Sequence, residues 1–280
     1  MSYNYLPLDR KQLHFDQVKN LLDFDQLVSI TFYAHEQIEN CRNYLDKKLA
    51  TDELFEGINV INTVKLTPEE ITQLQYNILT NNAVISGDEI AKAIVKLTLM
   101  LKIKSLSYGQ SGIDIETVKR LMEMYNNNVL PIIFATDGYD DKAILSQLSL
   151  PLIGLGMVYF NGEKMPSATA LKILNWQPLQ LKSKEALALI NGNQYTCACG
   201  LYQLKMAETQ LQAANNNAPQ AYEVFDKMMT VFMAEANNVV DSPQIFAEQD
   251  SIIYLPLPTN QIMVEILELL RSSDTFSLIK

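Results

Sequence analysis

Three carboxylates fall within five residues at Asp137, Asp140 and Asp141. Such a group could hold a hard cation, because calcium and magnesium take oxygen ligands. Calcium loops, however, alternate their ligands and close on a distal Glu, and this stretch does neither. The acids read instead as a solvated helix start, where side-chain oxygens satisfy free N–H groups and negative charge suits the helix dipole. Softer metals have few ligands to draw on. His14 and His35, the two histidines, have no neighbouring ligands and read as surface or boundary residues. Cys197 and Cys199 point to different sides of an expected helix with no further Cys or His near in sequence, which argues against zinc. Gly154 and Gly156 form a Gly-x-Gly pair, but a phosphate cradle would follow a strand and open a helix. Glu56 offers a carboxylate in the segment Asp52–Val64, as an exposed loop acid or, on the sharper reading, as a base.

The elements that would position these groups are mostly helices. Residues 1–22 suit an extended start followed by a short helix, and Asp23–Leu49 carries apolar residues near helical spacing, an amphipathic helix broken near its start. Thr67, Pro68 and Glu70 spell a capping box with proline in the first turn, opening a helix that runs to Thr80. Ser86–Glu89 reads as the cap of a helix Ile90–Ile103 that is apolar on nearly every face, and hence buried in a core or an interface. Asp114 should start a helix Ile115–Asn126. Leu145–Leu155 should be buried and helical, kinked or ended by Pro151. Helices are also expected from Met165 to Leu174 and from Gln261 to Arg271, with Trp176 in a core or an interface.

Bulk composition narrows the function classes. With 48% hydrophobic and 19% charged residues over 280 positions, a substantial core is available and disorder is not expected. Ten Gly and ten Pro amid abundant helix formers favour helices over sheet. A net charge of -10 without a Lys/Arg cluster argues against nucleic acid. No stretch of about 18 apolar residues suggests a membrane span. The start has no basic segment followed by an apolar run, and three cysteines make no disulfide framework, so a cytoplasmic setting is the expectation.

Several separated blocks agree in order and spacing with one family. These are Leu145–Gly156, the Asn161-Gly162 turn, Lys184–Gln194 (KEALALINGNQ), and Glu235–Phe246 (EANNVVDSPQIF). They resemble the aromatic amino acid ammonia-lyases, the histidine and phenylalanine lyases. Leu74, Gln75 and Ile78 resemble the family's Leu-Gln-x-x-Leu helix, and Tyr108–Ile113 its Gly-x-Ser-Gly turn. The resemblance covers about residues 23–205 and 219–271. It implies an all-α, ammonia-lyase-like fold with a truncated central helix bundle: an N-terminal lyase-like domain over 1–205, holding the loop 130–160, and a shortened bundle segment over 206–280.

The same resemblance implies where the family's chemistry would sit. Members form an electrophile from Ala-Ser-Gly: the third residue's amide nitrogen attacks the first residue's carbonyl, and the middle serine loses water. Counting back from Leu145, those positions fall on Gly138, Tyr139 and Asp140. Tyr139 has no β-hydroxyl to eliminate. Asp140 adds a Cβ and a charge where a tight ring calls for Gly, which is also the third residue of the X-Tyr-Gly triplets that cyclise in fluorescent proteins. Shifting to Ala135-Thr136-Asp137 recovers a hydroxyl but needs a gap and still lacks the Gly.

Glu56 falls at or beside the family's loop tyrosine, and Asn82 on the histidine of its Ser-His pair. Asn191 matches the asparagine near the prosthetic group, or persists because it satisfies buried backbone groups. The family's Tyr-Ser-x-Arg motif has no counterpart, and Ala213–Pro219 looks like a deletion scar. The expectation is a divergent lyase homologue without the electrophile and with no metal: a binding, assembly or accessory subunit, as a homo-oligomer or paired with a full-length lyase paralogue, with an aromatic small molecule as ligand. The alternative is a lyase eliminating ammonia from histidine or another aromatic amino acid.

Overall fold

A computed structural model describes residues 5–136, 138–213 and 219–271. Asp137 and part of the Ala213–Pro219 turn lie outside the described residues. Strand β1 (Tyr5–Leu8) and β2 (Leu27–Ile30) pair in parallel, Tyr5 opposite Leu27, with helix α1 (Phe15–Phe24) as the crossover. The region read as one helix broken near its start is therefore a strand followed by α2 (Phe32–Leu49), capped by Thr31 accepting from the Ala34 amide at 3.1 Å. The apolar run Leu27–Ile30 fits a short buried strand as well as a helical turn, and pairing with β1 decided it.

A small hairpin, β3 (Val60–Ile61) and β4 (Val64–Lys65), leads into α3 (Pro68–Asn82). There the expected capping box is present: Thr67 Oγ1 accepts from Glu70 N at 3.2 Å, and Glu70 Oε2 accepts from Thr67 N at 2.8 Å. Helix α4 spans Lys92–Leu106, starting two residues later than expected, with Ala91 at the N-cap and no side-chain cap. Ser86–Glu89 does not cap it. That segment lies against Phe134–Ala135, with Gly87 N donating to Ala135 O at 2.7 Å and a bridge between Glu89 and Phe134.

Asp114 caps α5 (Ile115–Asn126) as expected. Strand β5 (Leu130–Pro131) precedes α6 (Asp141–Ser149), and Leu150–Ile153 then tightens into a 3-10 turn at Pro151 instead of continuing the helix. Strands β6 (Met157–Phe160) and β7 (Glu163–Pro166) complete an antiparallel sheet with β5, joined by the Asn161-Gly162 turn, both residues at positive φ. Helices α7 (Ser167–Ile173), α8 (Glu185–Ile190), α9 (Gln194–Ala213) and α10 (Pro219–Ala236) follow. Strands β8 (Gln244–Phe246) and β9 (Ser251–Ile253) pair as a hairpin, and α11 (Gln261–Arg271) ends the described chain.

Helix α9 is the axis of the packing. It lies against α4, α10, α11 and α6, and Gly200 lets Phe232 of α10 approach so closely that a Cβ there would sit 2.1 Å from the ring. The fold is predominantly helical, and the short strands serve to join helices. One large core runs through α4, α5, α9 and α10; a smaller one gathers Cys41, Leu45, Ile58 and Ile245. No described helix is long and apolar enough to cross a membrane.

Candidate active-site framework

Asp141 opens α6 yet is buried, because its carboxylate faces the first turn of α9. Oδ1 accepts from the backbone amides of Tyr195 (2.8 Å) and Thr196 (3.0 Å), and Oδ2 accepts from the Thr196 hydroxyl. A helix N-terminus presents unpaired N–H groups and partial positive charge, so a buried anion there is well placed. Asn260, immediately before α11, adds a third donor side: its Nδ2 reaches Asp141 Oδ2 at 3.0 Å, the Tyr139 carbonyl at 2.9 Å and Thr196 Oγ1 at 3.0 Å. Burial nevertheless pushes the Asp141 carboxyl up to about 6; the hydrogen bonds from Thr196, Asn260 and Tyr195 oppose that rise without cancelling it.

A second buried network lies where α8 ends. Asn191 donates through Nδ2 to Asp241 Oδ1 and the Ser242 carbonyl, both at 3.0 Å. Asp241 Oδ2 accepts from Lys184 Nζ at 2.5 Å, an ion pair with both side chains almost wholly enclosed. Lys102 of α4 donates to the Asn191 carbonyl at 2.6 Å. Burial lowers the Lys102 ammonium to about 7; the Asp241 carboxylate works against the shift and the Lys184 charge adds to it. Asn191 is thus a connector: its side chain ties α8 to the segment after α10, and its carbonyl holds a lysine of α4.

The remaining sequence-derived positions lie elsewhere or are exposed. Glu56 is exposed: its Oε1 accepts from Asn62 N at 3.1 Å, and its carbonyl accepts from the Tyr254 hydroxyl at 3.0 Å. Asn82, the last residue of α3, donates to the Ile78 carbonyl at 2.7 Å. Among the described residues no group of three His, Cys, Asp or Glu side chains could hold a metal ion.

Gly138 and Asp140 are exposed and Tyr139 half-buried, its ring 6.1 Å from that of Tyr195. Asp140 serves as the N-cap of α6, Oδ1 accepting from Ala143 N at 3.1 Å. The Tyr139 carbonyl already accepts from Asp141 N at 3.1 Å as well as from Asn260. These three residues do not fit formation of the electrophile described above. Tyr139 has nothing on Cβ to leave, and ring closure at Asp140 N would displace a capping residue.

Sequence reasoning passed over Lys102, Thr196 and the partnership of Lys184 with Asp241. The available signal was two lysines, 102 and 104, in the apolar second half of α4: a charge expected to be buried calls for a partner. Lys104 finds the Asp9 carbonyl at 2.7 Å and the Tyr108 hydroxyl at 2.9 Å.

Comparison with known proteins gives the family. A model of the aromatic amino acid lyases matches residues 13–253. The chain belongs to the aromatic amino acid lyase family. The histidine ammonia-lyase of Chloroflexus aurantiacus is 35% identical over 190 residues, covering 65% of this chain and 36% of the relative. That of Deinococcus radiodurans is 31% identical over 223 residues, 77% of this chain and 42% of the relative. The chain therefore aligns with about two fifths or less of these curated lyases. In fold it matches the histidine ammonia-lyase of Trypanosoma cruzi (TM-score 0.81, 22% identity, 98% of this chain and 66% of the other). It also matches the ergothionase of Treponema denticola (TM-score 0.85, 19% identity, 99% and 71%). The Asp141 and Asn191 networks are buried parts of this chain, and Gly138 and Asp140 lie at its surface.

Proposed function

We propose that this lyase-family chain acts as a binding or assembly subunit that does not make the family's electrophile on its own. The observation that carries the proposal is Tyr139 with Asp140 at the triad. The first has no β-leaving group, and the second is engaged as a helix cap. Groups that act as a unit lose their effect together when one is removed, so the buried framework alone supplies no elimination. What it does supply is a rigid frame, which fits binding an aromatic small molecule or pairing with a second copy or a full-length lyase paralogue.

A second reading is supported by the relatives: proteins named histidine ammonia-lyase are 31–35% identical over 65–77% of this chain. On that reading the chain eliminates ammonia from histidine or another aromatic amino acid. Intact-mass spectrometry of the purified chain separates the two, together with an assay for ammonia and for the ultraviolet absorbance of the acrylate product from His, Phe and Tyr. We expect the unmodified sequence mass and no ammonia. Loss of two waters, or ammonia release by the chain alone, overturns the first reading in favour of the second. Light scattering with and without a full-length lyase tests the assembly role, which predicts a defined oligomer.

A further inference from the structure

A cavity of about 510 Å3 opens between the end of α1, the first turns of α4, the end of α5 and the β6–β7 turn. It shares no lining residue with the Asp141 or Asn191 networks. Its volume lies in the range of small-molecule sites. The inner wall is apolar and firm: Leu21, Leu97, Leu130 and the ring of Tyr125 are buried.

The rim carries an excess of positive charge in a chain whose net charge is -10. Lys96 pairs with Asp25 at 2.7 Å and with Asn128 Oδ1 at 2.6 Å. Outside the lining, Lys164 pairs with Glu89 at 2.6 Å, and Glu89 also accepts from the hydroxyl of Tyr159, which does line the cavity. Lys92 has no ion pair within 4.0 Å among the described residues; its ammonium stands 3.5 Å from the centroid of the Tyr159 ring. Among the lining residues two ammonium groups, Lys92 and Lys96, thus face one carboxylate, Asp25, leaving one positive charge, and Lys92 is the one without an ion pair in the lining, although its charge also acts on the nearby Glu89.

Its position makes that charge costly. Lys92 is the first residue of α4, where the dipole disfavours a cation, and the first turn holds no acidic residue. Lys96, four residues on, is a like charge on the same face. An anion beside Lys92 relieves both. We propose that this cavity binds a small amphiphilic monocarboxylate, its carboxylate at Lys92 and its apolar body against Leu97 and Tyr125.

Isothermal titration calorimetry of the full chain tests this with 3-phenylpropionate, its uncharged amide, acetate and inorganic phosphate. We expect 3-phenylpropionate to bind at least ~10-fold more tightly than each of the other three, the factor equivalent to about 1.4 kcal/mol. Lys92→Gln should weaken it by ~10-fold or more without lowering Tm, because Lys92 is exposed and its charge is unfavourably placed; Lys92→Arg should retain it, and Lys119→Gln, on α5 outside the cavity lining, should leave it unchanged. No binding at millimolar probe, equal binding of the amide, or equal binding of phosphate overturns the proposal. Binding indifferent to Lys92→Gln overturns it too, since the probe then sits elsewhere, the candidate active site included.

Discussion

Two neighbouring regions of the molecule are held in different ways. The ion pair and hydrogen bonds around Asp241, Lys184 and Asn191 are enclosed and satisfied, and so is the carboxylate of Asp141. Directly before Asp141, the loop Gly138–Asp140 faces solvent at both ends, with Tyr139 half-buried between them. The difference teaches that burial, more than position along the chain, sets how tightly a polar group is held. A buried charge without its partner costs several kcal/mol, so the network is held in place by folding. An exposed loop has no such constraint.

The largest effect should therefore come from the ion pair. Lys184→Met leaves Asp241 buried and unpaired, and we expect about 3–5 kcal/mol of destabilisation, read from urea unfolding. Asp141→Ala comes next. It strips the acceptor from the Tyr195 and Thr196 amides, the Thr196 hydroxyl and Asn260, and should cost about 2–3 kcal/mol. A loss below about 1 kcal/mol in either variant would erase the contrast between the two regions.

The pH dependence of stability sharpens it further. Asp141 titrates near 6 when folded, above its ordinary 3.8, so between those values the folded chain holds more protons and stability falls as pH rises. Lys102 titrates near 7 and Lys104 near 8, both below 10.5. From about pH 7 upward the unfolded chain therefore holds more protons, and stability rises with pH. These buried groups together predict a shallow minimum between about pH 6 and 7. Asp141→Asn should flatten its acid side, and Lys102→Met its alkaline side, in Tm measured across pH.

Much of this architecture was legible in the sequence, and the parts that were not share a cause. The helix at Pro68, the cap at Asp114 and the Asn161-Gly162 turn are local chemistry, written within four residues. The strand at Leu27–Ile30 depends on a partner about twenty residues away, and four apolar residues look alike in either conformation. The site divides in the same way. The burial of Asn191 among polar partners agrees with the expectation that it satisfies buried groups. That Lys102 reaches the Asn191 carbonyl, or that Asn260 joins Asp141 to Tyr139, spans 89 and 119 residues of sequence and follows only from tertiary packing.

The smallest effects belong to the exposed loops, and they complete the comparison from its other side. Asp140→Ala removes one side-chain cap from α6 and should cost about 1 kcal/mol, as N-cap losses do. Glu56 gives up less. Its carboxylate accepts one amide hydrogen bond, from Asn62, at an exposed position where water replaces the lost acceptor. Glu56→Gln keeps an acceptor oxygen as well, so its unfolding midpoint should stay within about 0.5 kcal/mol of the parent. A cost of 2 kcal/mol or more would mean that Glu56 is held by the fold as tightly as Asp141, and the division between a constrained interior and an unconstrained loop would then fail at Glu56.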